Sequence, residues 1–236
     1  IVTPTVTHYK LAKYFLDNKI HVLLEKPMTE TVAQAKKLNA IARKNKCVLQ
    51  IGHLEQFNPA IRKLRKSSCK PQFIEVHRLC QFNPRANDVD VVLDLMIHDI
   101  DIVLSLVNKK IESIEVSGKK ILTNLTDIAN VRIKFKDNIV ANLTASRIST
   151  KNERKMRIFS NNSYYSIDFI NNKLKKIHKD RRNRFKVTDF NFKKTDVLDD
   201  EINNFVNTCL GKEKSMTTGT SGLEALVVAK KISKGF

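Results

Sequence analysis

The first 53 residues alternate between short apolar segments and amphipathic ones, and this alternation constrains the fold more than any other feature. Residues 21–24 and 47–52 are short apolar runs, which are typical of buried strands. Two helical segments flank the first run, each with one face made of residues at helical spacing: His8, Leu11, Ala12 and Phe15, and Val32, Ala35, Leu38 and Ala42. Because buried strands that alternate with helices form parallel sheets, this region predicts half of a doubly wound α/β domain.

From about residue 54 the pattern changes to consecutive strands in which every second residue is apolar. Strands in a row followed by helices indicate an α+β domain with a mostly antiparallel open sheet. The predicted strands are 73–79, 113–121, 129–135, 139–146, 155–159 and 164–169, with a solvated hairpin at 173–184 and helices at 59–65, 91–107, 198–210 and from Ser221. Ser221 and Glu224 have the spacing of a capping box. We therefore expect two domains, residues 1–53 and residues 54–236.

The chain is strongly basic, with 43 Lys and Arg against 24 Asp and Glu and a formal net charge of +19. This excess either attracts a polyanionic partner or reflects a compositional bias spread over the surface. The sequence has no recognition-helix motif, aromatic stacking set or zinc knuckle, so nucleic acid is not the expected partner. No run of about 18 apolar residues occurs, so no membrane span is expected.

The cysteines Cys47, Cys69, Cys80 and Cys209 are scattered and form no C-x-x-C pair. His77 and Cys80 share an H-x-x-C spacing, but no second pair of ligands completes a zinc site. We therefore expect packing thiols in a reducing compartment, no bound metal, and the cytoplasm as the default location.

Asp94, His98 and Asp101 form one stripe on the otherwise apolar helix predicted at 91–107. Ionisable groups on a largely buried helix are costly unless they are paired. A carboxylate one turn from an imidazole can fix its tautomer and raise its basicity, as a general base requires. The residues alone leave two interpretations open, a catalytic pair or a structural histidine held by its neighbour.

Glu25, Lys26 and Pro27 follow the strand predicted at 21–24, at the end where open α/β sheets bind their ligands. Pro27 restricts Lys26 to extended backbone, which can direct the ammonium group into a crevice. On its own, the tripeptide also fits an ordinary surface lysine before a turn.

Four motifs in order resemble the Gfo/Idh/MocA oxidoreductases, the family of glucose–fructose oxidoreductase and inositol dehydrogenase. They are Ile1-Val2-Thr3-Pro4-Thr5-x-x-His8, His21-Val22-Leu23-Leu24-Glu25-Lys26-Pro27-Met28, Gly52-His53-x-x-x-Phe57-Asn58-Pro59-Ala60 and Asp94-x-x-x-His98-Asp99. Glutamate-lysine-proline is the signature of that family, and D-x-x-x-H is its catalytic pair. The resemblance implies the C-terminal half of a Rossmann (doubly wound) domain at 1–53 and a substrate-binding and oligomerisation domain at 54–236.

The resemblance also implies hydride transfer between a sugar or cyclitol hydroxyl carbon and NAD or NADP. In that chemistry Lys26 contacts the reacting hydroxyl, His98 removes its proton, and Asp94 orients His98. The residues implied to lie along the dinucleotide or close to it are Pro4, Thr5, His8 and Glu25, with Asn58 near the junction of nicotinamide and substrate. Homo-oligomers formed through the C-terminal sheet are typical of similar proteins.

Within the family, residues 52–59 and 90–101 are most similar to the bacterial UDP-N-acetylglucosamine 3-dehydrogenases. That group usually has Arg at the position of Gln56, so this chain lacks one cation near the site. Arg85 and Arg147 are predicted to offer charge to the diphosphate of a nucleotide-sugar substrate.

The sequence contains no strand followed by a G-x-G-x-x-G turn and a helix, the element that binds the pyrophosphate of a dinucleotide. We therefore expect an N-terminally truncated oxidoreductase or the product of a degraded gene, which on its own binds NAD(H) weakly. The alternative is a non-enzymatic descendant whose remaining sheet serves dimerisation or partner binding.

Overall fold

The computed structural model of the protein describes residues 1–67, 69–83, 89–180, 182–193 and 196–236. The chain forms two compact units, one made of residues 1–57 and 196–230 and the other of residues 58–195 and 231–236. The boundary expected after residue 53 lies close to the first change of unit, whereas residues 196–230 pack with the first unit. None of the described helices has the length and apolar character needed to cross a membrane.

The described helices are α1 (Thr5–Asp17), α2 (Val32–Lys44), α3 (Pro59–Arg65), α4 (Ile97–Val107), α5 (Val197–Cys209) and α6 (Gly219–Ser233). The described strands are β1 (Val22–Glu25), β2 (Leu49–Gly52), β3 (Pro71–Leu79), β4 (Ile111–Lys119), β5 (Ile128–Phe135), β6 (Val140–Ser146), β7 (Glu153–Ser160), β8 (Ser163–Asp168), β9 (Lys173–Lys179) and β10 (Phe185–Asn191). A 3₁₀ helix at Leu54–Phe57 precedes α3, and a π-helical turn at Val92–Met96 leads directly into α4.

In the first unit, β1 and β2 lie parallel and end with Glu25 opposite Gly52. The main-chain nitrogen of Ile1 donates to the Leu23 carbonyl at 2.6 Å, and the Glu25 N–H donates to the Ile1 carbonyl at 3.1 Å. The helices α1 and α2 pack against each other and bury one face each. The parallel α/β arrangement predicted from the alternating pattern is confirmed.

Residues 215–222 belong to the first unit, where they form contacts with β2. The Ile51 N–H donates to the Thr217 carbonyl at 2.8 Å, and the Ser215 hydroxyl donates to Gln50 Oε1 at 2.8 Å. At Gly222 the chain comes so close to β2 that an added Cβ would lie 2.5 Å from Ile51 Cγ1. These contacts join segments far apart in sequence, which explains why periodicity alone did not assign residues 196–230 to this unit.

The helix α6 begins at Gly219 and not at Ser221. The Thr218 hydroxyl accepts the Ser221 N–H at 3.1 Å, and the Ser221 hydroxyl itself donates to the Thr218 carbonyl at 2.9 Å. Thr218 therefore occupies the capping position that the sequence pattern assigned to Ser221, and the predicted capping box is wrong.

The second unit contains an eight-stranded sheet with the order β10-β9-β8-β7-β3-β6-β5-β4. Its paired strands are antiparallel except for β3 and β6, which are parallel. The π-helical turn packs against β6, and α4 packs against β3. Alternate residues of the central strands are buried, among them Ile74, Val76, Val131 and Ile133. The expected mostly antiparallel sheet is confirmed.

The basic run at 173–184 forms only part of a hairpin. Lys173 lies opposite Asn191 and Lys179 lies opposite Phe185, so the hairpin consists of β9 and β10 and extends to residue 191. The basic run therefore covers β9 and the turn, and β10 comes after the run in the sequence.

Candidate active site

One group of candidate residues lies at the carboxyl ends of β1 and β2. The Glu25 carboxylate accepts the N–H of Lys26 at 3.1 Å, and the Lys26–Pro27 peptide bond is cis. Gly52 leaves room for this carboxylate, since an added Cβ would lie 2.9 Å from Glu25 Cδ. The glutamate-lysine-proline segment therefore occupies the strand ends at which open α/β sheets bind ligands.

His8 connects two loops of the first unit through its ring. Its Nδ1 lies 3.0 Å from the Pro27 carbonyl and its Nε2 lies 2.8 Å from the Thr3 carbonyl, and the residue is 1% exposed. Because both partners are main-chain carbonyls, the imidazole ties the turn after Lys26 to the residues before α1. A direct contact between His8 and a dinucleotide stays a prediction.

Pro4 and Thr5 form the start of α1. Pro4 is the N-cap, no side chain caps the helix, and the first turn contains no acidic residue. The N–H groups at the start of a helix carry partial positive charge and are available to an acceptor. The start of α1 is therefore compatible with an anionic or polar group.

Glu201 of α5 is a buried acid in the same unit that the sequence did not single out. The residue is 1% exposed, and its Oε1 has no hydrogen-bond partner among the residues that the structure describes. Burial, and secondarily the negative charge of Glu25, raises the pKa of Glu201 to about 7. Glu201 and Asn204 are three residues apart and are the buried residues of α5, so they share one face of the helix. This helical spacing is the feature of the sequence that could have indicated the burial of Glu201.

The raised pKa of Glu201 predicts a specific dependence of stability on pH. Its folded pKa of about 7 exceeds the ordinary value of 4.5, so unfolding releases a proton between these pH values. The stability that Glu201 contributes is therefore present below about pH 4.5 and lost as the pH rises towards about 7. Glu201→Gln removes this loss and should stabilise the protein by about 2–3 kcal/mol at pH 8.

Thermal unfolding at pH 5 and pH 8 measures this effect. We expect the melting temperature of Glu201→Gln to exceed that of the unmodified chain by several degrees at pH 8 and by much less at pH 5. Glu224→Gln, at an exposed position of α6, is the matched control and should change neither value. An equal difference at the two pH values would contradict the assignment of a raised pKa to Glu201.

A second group of candidate residues lies in the second unit, where the π-helical turn carries Asp94 and α4 carries His98. The Ile97 N–H donates to the Val92 carbonyl, the i→i+5 bond of a π turn. Asp94 and His98 are half-buried and Asp101 is buried. The predicted helix is confirmed, with the difference that Asp94 lies on a π turn, a feature frequent at functional sites.

A buried ion pair fixes α4 one residue beyond His98. Arg78 of β3 donates from Nε and Nη2 to the two carboxylate oxygens of Asp99, both at 2.8 Å. The two side chains are 4% and 2% exposed. Motifs in the sequence do not indicate this pair, although the alternation of β3 does place Arg78 on the same inward-facing side as Ile74 and Val76.

Three further residues were predicted to contact the cofactor or the substrate: Asn58, Arg147 and Arg85. Asn58 is the N-cap of α3, and its Oδ1 accepts the Ala60 N–H at 3.0 Å. Arg147 follows β6 and is 3% exposed. Arg85 lies outside the described residues. The contacts predicted for these three residues with cofactor or substrate stay predictions.

Comparison with known protein families identifies the class of protein. Residues 1–53 match the model of an oxidoreductase family with an NAD-binding Rossmann fold, and residues 73–165 match the GFO/IDH/MocA C-terminal domain. The chain belongs to the GFO/IDH/MocA oxidoreductases, and its cofactor is NAD or NADP.

The UDP-N-acetylglucosamine 3-dehydrogenase of Acidithiobacillus ferrooxidans is a relative that matches almost the whole chain. It is 35% identical over 98% of this chain and 76% of its own length. A solved structure of that enzyme has a TM-score of 0.94 over 100% of this chain and 76% of its own. The scyllo-inositol 2-dehydrogenase (NAD(+)) of Bacillus subtilis is 27% identical over 63% of this chain and 48% of its own length. A levoglucosan dehydrogenase in complex with NADH shares the fold, with a TM-score of 0.87 and 14% identity over 100% of this chain and 76% of its own.

Proposed function

We propose that the chain acts in hydride transfer between NAD(P) and a hydroxyl-bearing carbon of a nucleotide-activated N-acetylhexosamine. The observation that carries this proposal is the 35% identity over 98% of the chain to a UDP-N-acetylglucosamine 3-dehydrogenase. The nicotinamide, when bound, accepts the hydride, and the side chains of this chain hold the substrate and take its proton.

In this proposal, His98 is the general base and Lys26 is the cation at the reacting hydroxyl. The substrate carbon loses its hydrogen as hydride while the hydroxyl proton passes to His98, so that a carbonyl group forms. Asp94 orients the imidazole and stabilises the charge that it gains. The ammonium group of Lys26 stabilises the negative charge that develops on the oxygen in the transition state.

Two observations on the first unit support the proposal that it binds a dinucleotide. The start of α1 lacks a side-chain cap, and the buried Oε1 of Glu201 has no partner among the described residues. The residues that we propose to line the dinucleotide are Pro4, Thr5, His8 and Glu25, with Asn58 at the nicotinamide. His8 would act by holding the loops around Lys26, given its two carbonyl contacts.

We also propose a homo-oligomer formed through the sheet of the second unit. Directly opposite residues on β3, β7, β8, β9 and β10 form an apolar row: Phe73, Phe159, Tyr164, Ile177 and Val187. Phe159 is 38% exposed and Val187 is 54% exposed, so this row presents apolar area to solvent. A second copy of the chain buries such a row against its own.

Light scattering during size-exclusion chromatography measures this association. We expect the mass of at least two chains for the unmodified protein and the mass of one chain for Phe159→Asp, because a buried unpaired carboxylate is costly. Val227→Asp, at a comparably exposed apolar position of α6 and outside the sheet, is the control for added charge. A one-chain mass for the unmodified protein would contradict the oligomer.

The proposed activity is tested in a fusion protein that carries the strand, G-x-G-x-x-G turn and helix of the Acidithiobacillus ferrooxidans relative before Ile1. NADH or NADPH formation is followed by absorbance with UDP-N-acetylglucosamine, free N-acetylglucosamine and myo-inositol. We expect turnover with the nucleotide sugar and little with the other two compounds. A folded fusion protein that forms no reduced cofactor with any of them would favour the non-enzymatic alternative.

A further inference from the structure

Arg147 directs its guanidinium group at the main chain of two loops in the second unit. Its Nη2 donates to the Val89 carbonyl at 2.8 Å and to the Thr126 carbonyl at 3.1 Å. Its Nε lies 3.5 Å from Asp127 Oδ1, and its main-chain N–H donates to the Asp127 carbonyl at 3.0 Å. Through these hydrogen bonds the buried guanidinium joins the segment at Val89 to the segment at Thr126 and Asp127.

Asp127 is a fixed anion beneath this guanidinium. Its Oδ2 accepts the N–H groups of Ile121, Leu122 and Thr123 at 2.7–2.9 Å, and its Oδ1 accepts the Thr123 hydroxyl at 2.6 Å. Burial by itself would raise the pKa of Asp127, but these donors outweigh it and lower the pKa to about 2. The carboxylate is therefore charged at neutral pH and compensates the charge of Arg147.

One of the carbonyls that bind Arg147 also binds the residue before the π-helical turn. The Thr126 carbonyl that binds Arg147 also accepts the Val91 N–H at 3.0 Å. The Asp90 carboxylate then accepts the N–H groups of Val92 and Leu93 at 2.9 and 3.0 Å. A continuous set of hydrogen bonds thus joins Arg147 to the start of the turn that carries Asp94.

We propose that Arg147 is a positioning residue that, with Asp127, fixes the start of the π-helical turn and thereby the placement of Asp94 and His98. This inference rests on the proposed function, in which those two residues orient and carry the general base. It assigns Arg147 a role different from the diphosphate contact that the sequence suggested. Arg78 contacts the same helical segment further along, at Asp99 of α4.

Amide hydrogen exchange of the unmodified chain and its variants tests the proposal without cofactor or substrate. We expect Arg147→Met to increase exchange of residues 91–96 about tenfold or more, while the residues at the end of α4 keep their protection. Arg147→Lys retains the charge and one donor, so it should restore part of the protection and serves if the Met variant does not fold. The exposed Arg132→Met is the matched control and should change neither region.

Kinetics of the fusion protein separate a failure of this inference from a failure of the proposed function. Positioning predicts that Arg147→Lys lowers kcat with little change in KM for the nucleotide sugar. Unchanged exchange at 91–96 together with a raised KM would overturn the proposal in favour of a substrate contact. Uniformly faster exchange throughout the second unit would also overturn it, because Arg147 would then act on global stability alone. Faster exchange confined to 91–96 in a fusion protein without activity would support the positioning role and contradict the proposed function.

Discussion

A fusion protein carrying His98→Gln is expected to lose about 10²–10⁴-fold in the rate of hydride transfer. Glutamine keeps polar atoms at the half-buried position on α4 but cannot accept the hydroxyl proton as imidazole does. Hydride departure without removal of that proton leaves a positively charged carbonyl oxygen, which is costly. Lys26→Met should lose about 10²–10³-fold, because it removes the cation at the developing oxyanion.

Single-turnover rates with UDP-N-acetylglucosamine and NAD or NADP measure these losses, and calorimetric binding of NADH is measured in parallel. Lys36→Met replaces an exposed lysine of α2 and is the matched control for lost charge. We expect Asp94→Asn to fall between the control and His98→Gln, since it weakens the orientation of the base and leaves the base in place. Full activity of His98→Gln would remove His98 from the chemistry.

The unfused 236-residue chain is expected to bind NADH with a Kd of about 1 mM or weaker. The first unit offers the strand ends of β1 and β2 and the start of α1, but its sequence contains no G-x-G-x-x-G turn. The pyrophosphate carries most of the charge of the dinucleotide, and a glycine-rich turn before a helix is what binds it. We expect the fusion protein to bind NADH at least about 100-fold more tightly, in the micromolar range.

Isothermal titration calorimetry of the unfused chain and the fusion protein compares these affinities directly. A fusion protein in which the first glycine of the G-x-G-x-x-G turn is replaced by valine controls for the added mass, and its affinity should return to that of the unfused chain. Micromolar NADH affinity of the unfused chain would show that the residues of β1, β2 and α1 suffice for binding.

Much of the fold follows from local periodicity, because each element buries its apolar face in a way that its own residues specify. The parallel pair β1 and β2 and the alternating strands β3 to β8 were predicted from such patterns. Contacts between segments that lie far apart in the sequence were not predicted. The pairing of Thr217 with Ile51 brings residues 196–230 to the first unit, and no local pattern reports such a contact. The start of α6 differed for a related reason, since Thr218 and Ser221 both suit an N-cap.

The candidate site could be predicted only in the residues that carry motifs. Glu25, Lys26, Asp94 and His98 lie at the strand ends and on the buried helix that the motifs indicated. The supporting groups were missed because their partners come from other strands and loops. Arg78 pairs with a buried carboxylate, Asp127 accepts several N–H groups, and Glu201 is buried. Only the folded chain reveals these surroundings.

The transfer of deuterium from substrate to nicotinamide tests whether the sugar carbon is the source of the hydride. UDP-N-acetylglucosamine carrying deuterium at C3 is incubated with NAD or NADP and the fusion protein, and the reduced cofactor is analysed by mass spectrometry and proton NMR. We expect the reduced cofactor to carry the deuterium at C4 of the nicotinamide, and we expect the initial rate of this transfer to be about 10²–10⁴-fold lower with His98→Gln. Reduced cofactor without deuterium, or an equal initial rate of transfer with His98→Gln, would contradict hydride transfer from the sugar through this site.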